Sequence, residues 1–374
     1  MDRKRKKLSM LIMPTDECNM NCIYCFHKAH HGNNERMSLE TVRRIYDITF
    51  KSFEDVTIIW HGGEPLCMGA DFYREAISMQ KDYRNTRIRN RMQTNLTMLS
   101  QPMVELVREY NIGVGSSLDG VCNEELRGRT AIIESKRQLL INSDLKCGFI
   151  MVVSRKNIDS LNDSYDYFKA MNANFTMNPY ISNSCNECDD LKLDVVYAAE
   201  KMIELFEYWI GDVNCKIHLD YFERIINYII HKKKTVCKYT SCLGKWMGIR
   251  YNGEIVPCNR FFPDEYSYGN VYQYSDISEA FKSAGFNRLL NEAILRREKC
   301  KQCAIYAFCE GGCNNVAYNE NGISENNGDS CYLTRTIYEY INKRVQKIID
   351  QGNLERINPQ IRKLMQKKAV ILNG

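Results

Sequence analysis

Three cysteines stand close together near the start of the chain, at Cys18, Cys22 and Cys25. They directly follow an apolar segment, so we place them in a loop after a strand. Three thiolates can bind an iron-sulfur cluster and leave one iron open, whereas structural zinc sites and four-ligand clusters are closed. The alternative, three buried or zinc-binding cysteines, does not explain their position after a strand. The spacing therefore indicates a cluster that takes part in chemistry.

A pair of glycines after the second apolar segment is the next feature with chemical meaning. The segment reads His61-Gly62-Gly63-Glu64-Pro65. Glycine allows the backbone to approach a ligand closely, and an exposed glutamate can accept hydrogen bonds from an ammonium group. We therefore predict a ligand contact at this position.

A second group of cysteines lies in the last third of the chain. Together with one glycine they are spaced C-x10-G-x4-C, then C-x2-C-x5-C-x3-C, then a final cysteine: Cys242, Gly253, Cys258, Cys300, Cys303, Cys309, Cys313 and Cys331. Sets of four thiolates suit iron-sulfur clusters or zinc, so the ligands alone do not decide between the two. The cysteine loop near the start of the chain favours iron.

The elements that must position these residues alternate along the first half of the chain. Short apolar segments alternate with segments of helical periodicity, which is the pattern of parallel strands joined by crossover helices. The predicted strands are Leu8–Met13, Val56–Trp60, Arg87–Gln93, Ile112–Ser117, Cys147–Val153 and Phe175–Pro179. The predicted helices between them span 39–50, 72–81, 102–110, 131–141 and 158–171. We predict an α/β fold, a partial (β/α)6 barrel with a cysteine-rich C-terminal iron-sulfur domain, and chemistry at the carboxyl ends of the strands.

The alternation of predicted strands and helices ends after the sixth strand, and the sequence predicts four regions. Residues 1–180 form the partial barrel, and 181–234 form a helical bridge that contains helices at 195–210 and 221–230. Residues 235–335 form the cysteine-rich domain, in which metal sites replace much of the hydrophobic core. Residues 336–374 form a C-terminal helix, at 337–349, and a polar tail that we expect to fray.

Composition excludes several classes of protein. The chain has 374 residues, of which 44% are hydrophobic and 26% are charged, so disorder, collagen and coiled coil are excluded. The formal net charge of +5 gives no reason to predict nucleic acid or a membrane as a partner. No apolar segment approaches the roughly 20 residues that span a bilayer. The 17 cysteines without a secretory leader predict a reducing cytoplasm.

The first cysteine loop resembles that of the radical S-adenosylmethionine (SAM) enzymes. In that family a CxxxCxxC loop binds a [4Fe-4S] cluster whose free iron chelates SAM, and the residue before the last cysteine is usually aromatic, as Tyr24 is. The resemblance implies that Gly62, Gly63 and Glu64 line the SAM amino group. It also implies SAM contacts at five polar positions: Gln93, Thr94, Asn95, Ser117 and Arg129. The alternative for Ser117 is a turn residue, and the alternative for Arg129 is a surface charge.

The second cysteine group resembles the SPASM domain, an extension of that family with two auxiliary [4Fe-4S] clusters. The resemblance implies that one set of cysteines binds the distal cluster: Cys300, Cys303, Cys309 and Cys331. It implies that a second set binds the nearer cluster, with Cys237 as the fourth ligand: Cys242, Cys258, Cys313 and Cys237. The expected cofactors are therefore three [4Fe-4S] clusters and SAM. Cys185 and Cys188 remain as a weaker pair without partner ligands.

The predicted function depends on one departure from the family pattern. Sulfatase maturases of this type have an aspartate, the base that deprotonates the substrate, where this chain has Asn259. A neutral amide has no basic carboxylate, although Asp264 or Glu265 could substitute. We therefore predict a radical SAM oxidoreductase, a peptide maturase that forms a thioether or carbon-carbon crosslink in a ribosomally made precursor peptide. The alternatives are an anaerobic sulfatase maturase that forms formylglycine and, more remotely, a non-catalytic iron-sulfur or zinc protein.

The predicted partners follow from that interpretation. They are a precursor peptide and an electron donor such as flavodoxin or ferredoxin. Because only seven residues precede the first predicted strand, the leader of the peptide is expected to bind to the barrel, to the bridging helices or to a separate leader-binding protein. The sequence does not identify the peptide or the bond that is formed.

Overall fold

The structure is a computed structural model that describes residues 6–27, 35–181, 189–326, 328–352 and 354–372. The chain divides into two compact units. The first consists of Met1–Ser117, Gly128–Cys147 and Cys242–Glu292, and the second of Leu118–Arg127, Gly148–Ser241 and Ala293–Gly374. The predicted boundaries at 180, 234 and 335 are boundaries along the sequence, and they stay a prediction.

Strands and helices alternate through the first half of the chain. The strands of the described ranges are β1 Lys7–Ile12, β2 Asp55–Trp60, β3 Arg87–Gln93, β4 Gly113–Ser117, β5 Cys147–Val153, β6 Phe175–Pro179, β7 Trp246–Ile249 and β8 Ile255–Val256. The α-helices are α1 Leu39–Thr49, α2 Gly69–Ser78, α3 Gln101–Glu109, α4 Asn123–Leu126, α5 Thr130–Ile141, α6 Leu161–Ala170, α7 Val195–Ile210, α8 Asp220–His231, α9 Ala284–Cys300, α10 Tyr306–Cys309, α11 Asn314–Glu320, α12 Asp329–Gln351 and α13 Pro359–Leu372. No helix of these ranges is both long and apolar enough to cross a bilayer.

The first unit is built on a sheet with the strand order β4-β3-β2-β1-β7-β8. The first five strands are parallel to their neighbours, and β8 pairs antiparallel with β7. Buried apolar residues of β1 and β2, such as Met10 and Ile58, face each other in register. The parallel arrangement brings the carboxyl ends of β1 to β4 to one edge, and the predicted site residues follow these ends.

The second unit combines the parallel pair β5 and β6 with a layer of helices. Strand β5 alternates buried and partly exposed residues, which is the period of a strand with one covered face. Helix α7 begins at Asp194, whose carboxylate accepts hydrogen bonds from Val196 N and Tyr197 N. Phe206 of α7 and Phe222 of α8 pack edge to face at 5.3 Å in the core of this layer.

The predicted fold class, α/β with an open, largely parallel sheet and a C-terminal cysteine-rich region, is confirmed, and β1 to β6 begin and end within one residue of the predicted strands. Three other elements differ from prediction. Strand β7 extends the sheet beside β1, and α9 is a long helix where the sequence predicted little regular structure. The tail forms α13 with Ile361 and Met365 buried, so the prediction that it frays is wrong.

Candidate functional site

The first cysteine loop follows β1 and gathers three thiols. Cys25 N donates a hydrogen bond to Cys22 O at 3.2 Å, and both Cys22 and Tyr24 are buried. Burial, together with nearby Glu64, Cys22 and Cys25, raises the pKa of the Cys18 thiol to about 12. Ionisation of this thiol is unfavourable unless a cation lies beside it, as expected of a cluster ligand without its iron. The all-sulfur donor set therefore fits an iron-sulfur cluster.

The glycine pair after β2 holds this loop in place. Gly62 has φ 107°, and a Cβ on it would lie 2.5 Å from Thr15 O, while a Cβ on Gly63 would lie 2.3 Å from Glu17 O. Gly63 N donates to Thr15 O at 3.0 Å, and Glu64 N donates to Glu17 O at 2.7 Å. The close approach that requires glycine is thus to the backbone before the cysteines. Contact of the pair with SAM stays a prediction.

Glu64 is buried and not exposed as the sequence argument assumed. Its side chain is 1% exposed, and its carboxylate accepts hydrogen bonds from Thr94 Oγ1 at 2.5 Å and from Asn95 N at 2.6 Å. It also accepts from Leu66 N at 2.9 Å. The carboxylate therefore joins the loop after β2 to the loop after β3. Its predicted interaction with the SAM ammonium group stays a prediction.

A chain of amides, which the sequence analysis did not identify, supports the cysteine loop. Asn95 Nδ2 donates to Asn19 Oδ1 at 2.9 Å and lies 4.0 Å from Cys18 Sγ. Asn19 Nδ2 donates to Thr97 Oγ1 at 2.7 Å. An amide beside a thiolate ligand stabilises its charge and fixes its orientation. The ribose contact predicted for Asn95 stays a prediction, and the polar residues directly after β3 were the available signal for the role seen here.

The two remaining predicted SAM contacts differ in their surroundings. Ser117 Oγ, at the end of β4, accepts a hydrogen bond from Gln93 Nε2 at 3.1 Å. Arg129 precedes α5 with φ 58° and is exposed. Their SAM contacts stay predictions.

His61 and Asn259 form a pair within the first unit. The Asn259 amide lies 3.3 Å from His61 Nε2, while Gly62 N donates to His61 Nδ1 at 2.8 Å. Burial lowers the pKa of His61 to about 4, so the imidazole is neutral. Since Nδ1 accepts, Nε2 of the neutral ring carries the proton. The atom placed 3.3 Å from it is Asn259 Nδ2, which is also a donor, so the hydrogen bond requires the amide to be turned with its carbonyl oxygen towards Nε2. This pair presents hydrogen-bond donors and no carboxylate.

The carboxylates around this pair have different environments. Asp264 and Glu265, the predicted substitutes for a base, are both exposed. Asp16, which the sequence analysis did not consider, is two residues before Cys18, and burial raises its pKa to about 6, although Arg250 opposes this shift. Asp16 is therefore the carboxyl of the loop whose titration lies nearest neutral pH.

An aromatic group lies beside the last cysteine of the loop. Phe26 and His27 are 4.5 Å apart between ring centroids, and the Phe262 ring meets His27 edge to face at 5.6 Å. Arg260 lies over Phe26 at 5.3 Å and Arg250 over Phe262 at 5.1 Å. These side chains form an aromatic wall next to Cys25, with an arginine over each phenylalanine ring.

The distal cysteine set lies around one cavity in the second unit. The cavity has a volume of about 650 Å³, and the thiols that line it are those of Cys300, Cys303, Cys309, Cys313 and Cys331. In the part of the chain that the structure describes, no three His, Cys, Asp or Glu side chains are close enough to share a single metal ion. The thiols thus surround a space and do not converge on a point, which fits a cluster better than zinc. Ligation by the four predicted residues stays a prediction.

The nearer cysteine set is divided between the two units. Cys242 and Cys258 belong to the first unit, where burial raises the pKa of the Tyr268 phenol and both thiols add to that shift. Cys237 and Cys313 belong to the second unit, and Cys237 is exposed. Their common ligation stays a prediction. Cys185 and Cys188 lie outside the described residues.

Two family profiles match the chain in the regions that hold these cysteines. The radical SAM superfamily matches residues 12–167, and the SPASM iron-sulfur cluster-binding domain matches residues 237–304. The first match contains all three cysteines of the first loop. The second contains Cys237, Cys242, Cys258, Cys300 and Cys303, whereas Cys309, Cys313 and Cys331 lie beyond its end.

Similar proteins match most of the chain. A cysteine-type anaerobic sulfatase-maturating enzyme of Clostridium novyi (strain NT) is 27% identical over 335 residues, which cover 82% of this chain and 88% of the relative. A serine-type enzyme of Bacteroides thetaiotaomicron is 25% identical over 391 residues and covers 95% of this chain and 93% of the relative. The solved structure of native anSMEcpe with bound AdoMet and Cp18Cys peptide has a TM-score of 0.82 at 20% identity, covering 92% of this chain and 99% of that one. This structural likeness shows the fold.

Proposed function

The chain carries a radical SAM domain followed by a SPASM iron-sulfur domain, and we propose that it is a sulfatase-maturating oxidoreductase that converts a cysteine or serine side chain to formylglycine. Its cofactors are [4Fe-4S] clusters and S-adenosylmethionine. One observation carries the proposal: the sulfatase-maturating relatives match across both domains, over about nine tenths of their own length.

The prediction of a peptide-crosslinking maturase is wrong. It was based on Asn259 in place of an aspartate, but the relatives that match most of the chain are sulfatase-maturating enzymes of both the cysteine and the serine type. The sequence argument therefore gave too much weight to one substituted residue, because the match over most of the chain favours sulfatase maturation. The separate leader-binding protein belonged to that interpretation and is not carried further.

The residues of the first unit have different roles in the proposed reaction. Bound S-adenosylmethionine and its cluster supply the radical that removes a hydrogen from the substrate. Cys18, Cys22 and Cys25 hold the cluster, the Asn95 and Asn19 amides orient the loop, and the aromatic wall at Phe26 lies next to Cys25. The substrate side chain loses one hydrogen atom to the radical, one proton to a base and one electron that an auxiliary cluster would accept, which together amount to two hydrogen atoms. An electron donor such as flavodoxin or ferredoxin completes the proposed system.

Asn259 favours a cysteine substrate over a serine substrate. The oxidation also requires the substrate S–H or O–H proton to leave, and an amide held by His61 cannot accept it. A thiol, with a pKa of about 8.5, ionises far more readily than an alcohol and needs only a weak base. Water can then replace sulfur in the resulting thioaldehyde, which releases hydrogen sulfide and leaves formylglycine.

The test uses the anaerobically reconstituted full chain, SAM and a reductant. Three peptides of one sulfatase-type sequence are compared, with cysteine, serine or alanine at the modified position. We expect 5′-deoxyadenosine and an aldehyde from the cysteine peptide, at least about tenfold less from the serine peptide, and no aldehyde from the alanine peptide, as read by mass spectrometry. SAM cleavage without an aldehyde from either the cysteine or the serine peptide would overturn the proposed function.

A further inference from the structure

Arg296 is a buried charge beside the distal cysteines. Its side chain, on α9, is 1% exposed, and its three nitrogens donate to neutral acceptors. Nε donates to Gly311 O at 2.9 Å, Nη2 donates to Asn314 Oδ1 at 2.5 Å, and Nη1 donates to Ile323 O. The hydrogen bonds satisfy the guanidinium but leave its positive charge without a counter-charge.

A buried cation without an anion is unfavourable, because hydrogen bonds replace only part of its hydration. No carboxylate of the described ranges lies within ion-pair distance of Arg296, whereas Lys299 on the same helix pairs with Glu325 at 2.6 Å on the surface. The groups near Arg296 that become anionic are thiols, which lose their protons when they bind a metal cluster. Burial lowers the pKa of Arg296, and Cys313, Cys300 and Cys309 raise it.

The position of Arg296 relates it to the predicted cluster directly. The residue lines the same cavity of about 650 Å³ as Cys300, Cys303, Cys309 and Cys331. One of its hydrogen-bond acceptors, Gly311, lies two residues after the distal cysteine Cys309, and another, Asn314, follows Cys313, which is predicted for the nearer cluster but also lines this cavity. The guanidinium is thus held between two distal cysteines, Cys300 on its own helix and Cys309 in the turn that it bonds, and does not face solvent.

We infer that Arg296 is the counter-ion of the distal auxiliary cluster and raises its reduction potential. A [4Fe-4S] core with four thiolates is anionic when oxidised and gains a further negative charge on reduction. A buried, fixed positive charge beside the cluster therefore stabilises the reduced state more than the oxidised state. The inference depends on ligation by the distal cysteines and not on the identity of the substrate.

The experiment measures the reduction potential of the distal cluster, which would not depend on the charge of Arg296 if that residue had a purely structural role. Reconstituted full-length protein that carries Cys18→Ala, Cys22→Ala and Cys25→Ala retains only the auxiliary clusters. Arg296→Met, Arg296→Lys and the control Lys299→Met are added to this background and titrated anaerobically with detection by electron paramagnetic resonance. The midpoint that disappears in a Cys331→Ser protein identifies the distal cluster.

We expect Arg296→Met to lower the ratio of reduced to oxidised distal cluster about tenfold at a fixed potential, a shift of about 59 mV for one electron. Arg296→Lys, which keeps the charge, should shift the midpoint potential much less, and Lys299→Met should leave the midpoint potential unchanged. Equal shifts in the Lys and Met variants, or an unchanged midpoint in an iron-replete Met variant, would overturn the inference. If the Met variant loses the cluster, retention of iron by the Lys variant supports the inference, and loss by both overturns it.

Discussion

At the scale of single residues, the pair of His61 and Asn259 sets the proton chemistry of the proposed reaction. Gly62 N donates to His61 Nδ1, so the proton of the neutral ring is on Nε2, 3.3 Å from the Asn259 amide. With its carbonyl oxygen turned towards this proton, the amide keeps its NH₂ group for a substrate. The position that carries a base in the sulfatase maturases therefore offers hydrogen bonds to a substrate and takes no proton from it.

Asn259→Asp should extend the reaction to serine. A carboxylate at this position can accept the hydroxyl proton, and the neutral His61 can donate to it, so we expect formylglycine formation from the serine peptide to rise about tenfold or more. Asn259→Ala is the matched control, because it removes the amide without adding a base. Mass spectrometry of the serine peptide measures both. Equal yields from the Asp and Ala variants would contradict the assignment.

His61→Gln should make stability less sensitive to acid. The folded-state pKa of His61 is lowered to about 4 by burial, whereas an unfolded histidine has a pKa of about 6.5. Below a pH of about 6.5, the unfolded chain binds a proton at this histidine that the folded wild type does not bind. The free energy of unfolding therefore falls as the pH drops from about 6.5 to the folded-state pKa. From about pH 7.5 to about pH 5.5 this loss is about 1 kcal/mol, and it should be absent in the variant. Anaerobic thermal unfolding at both pH values measures it, and parallel losses would show that His61 is not the cause.

At the scale of elements, the loops after β1, β2 and β3 form one connected support for the first cluster. The glycine pair joins the first two loops by backbone contact, and Glu64 joins the second to the third through Thr94 and Asn95. Each loop is thus held by its neighbours. A change in one loop should therefore act on the cluster ligands even where the changed residue touches no iron.

Gly63→Ala should remove the first cluster and spare the auxiliary ones. The new Cβ would meet Glu17 O at 2.3 Å and Asp16 O at 2.6 Å, so the cysteine loop must shift. We expect iron to fall from about 12 to about 8 atoms per chain, with SAM cleavage lost. Gly113→Ala is the control, because its Cβ would meet only the flexible Arg91 side chain at 3.4 Å. Full iron content in the Gly63 variant would contradict the role of the close contact.

The same elements show what the sequence can and cannot predict. Strands β1, β2 and β5 are mostly apolar segments and β3 and β6 alternate apolar and polar residues, so local pattern predicts them, and the cysteine spacings are readable without a structure. The burial of Glu64 and the contact of Asn19 with Asn95 depend on partners that lie 30 or more residues away, which no local pattern encodes. Helix α9 was missed because charged residues interrupt its apolar positions and its last residue is a cysteine.

At the scale of the whole molecule, the two units differ in what fills their interiors. The first has a sheet with buried apolar strands, whereas part of the second encloses the cavity lined by the distal cysteines. A cluster in that cavity would supply interactions that side chains do not, because the free energy of metal binding is then part of the free energy of folding. The stability of the second unit should therefore depend on its metal content.

Cys331→Ser should destabilise the second unit as well as stop product formation. Cys331 lies in the first turn of α12, whose buried Leu333 and Ile337 pack into the helical layer of that unit, so loss of this ligand releases both the cluster and the start of the helix. We expect about four fewer iron atoms per chain and new proteolytic cleavage between α9 and α12. Cys215→Ala is the matched control, because Cys215 is a buried thiol of the same unit that donates to Ile217 O and is not a predicted ligand. The control should keep its iron and lose about 1 kcal/mol of stability at most, and equal protease resistance of the two variants would show that the distal thiol is not a ligand.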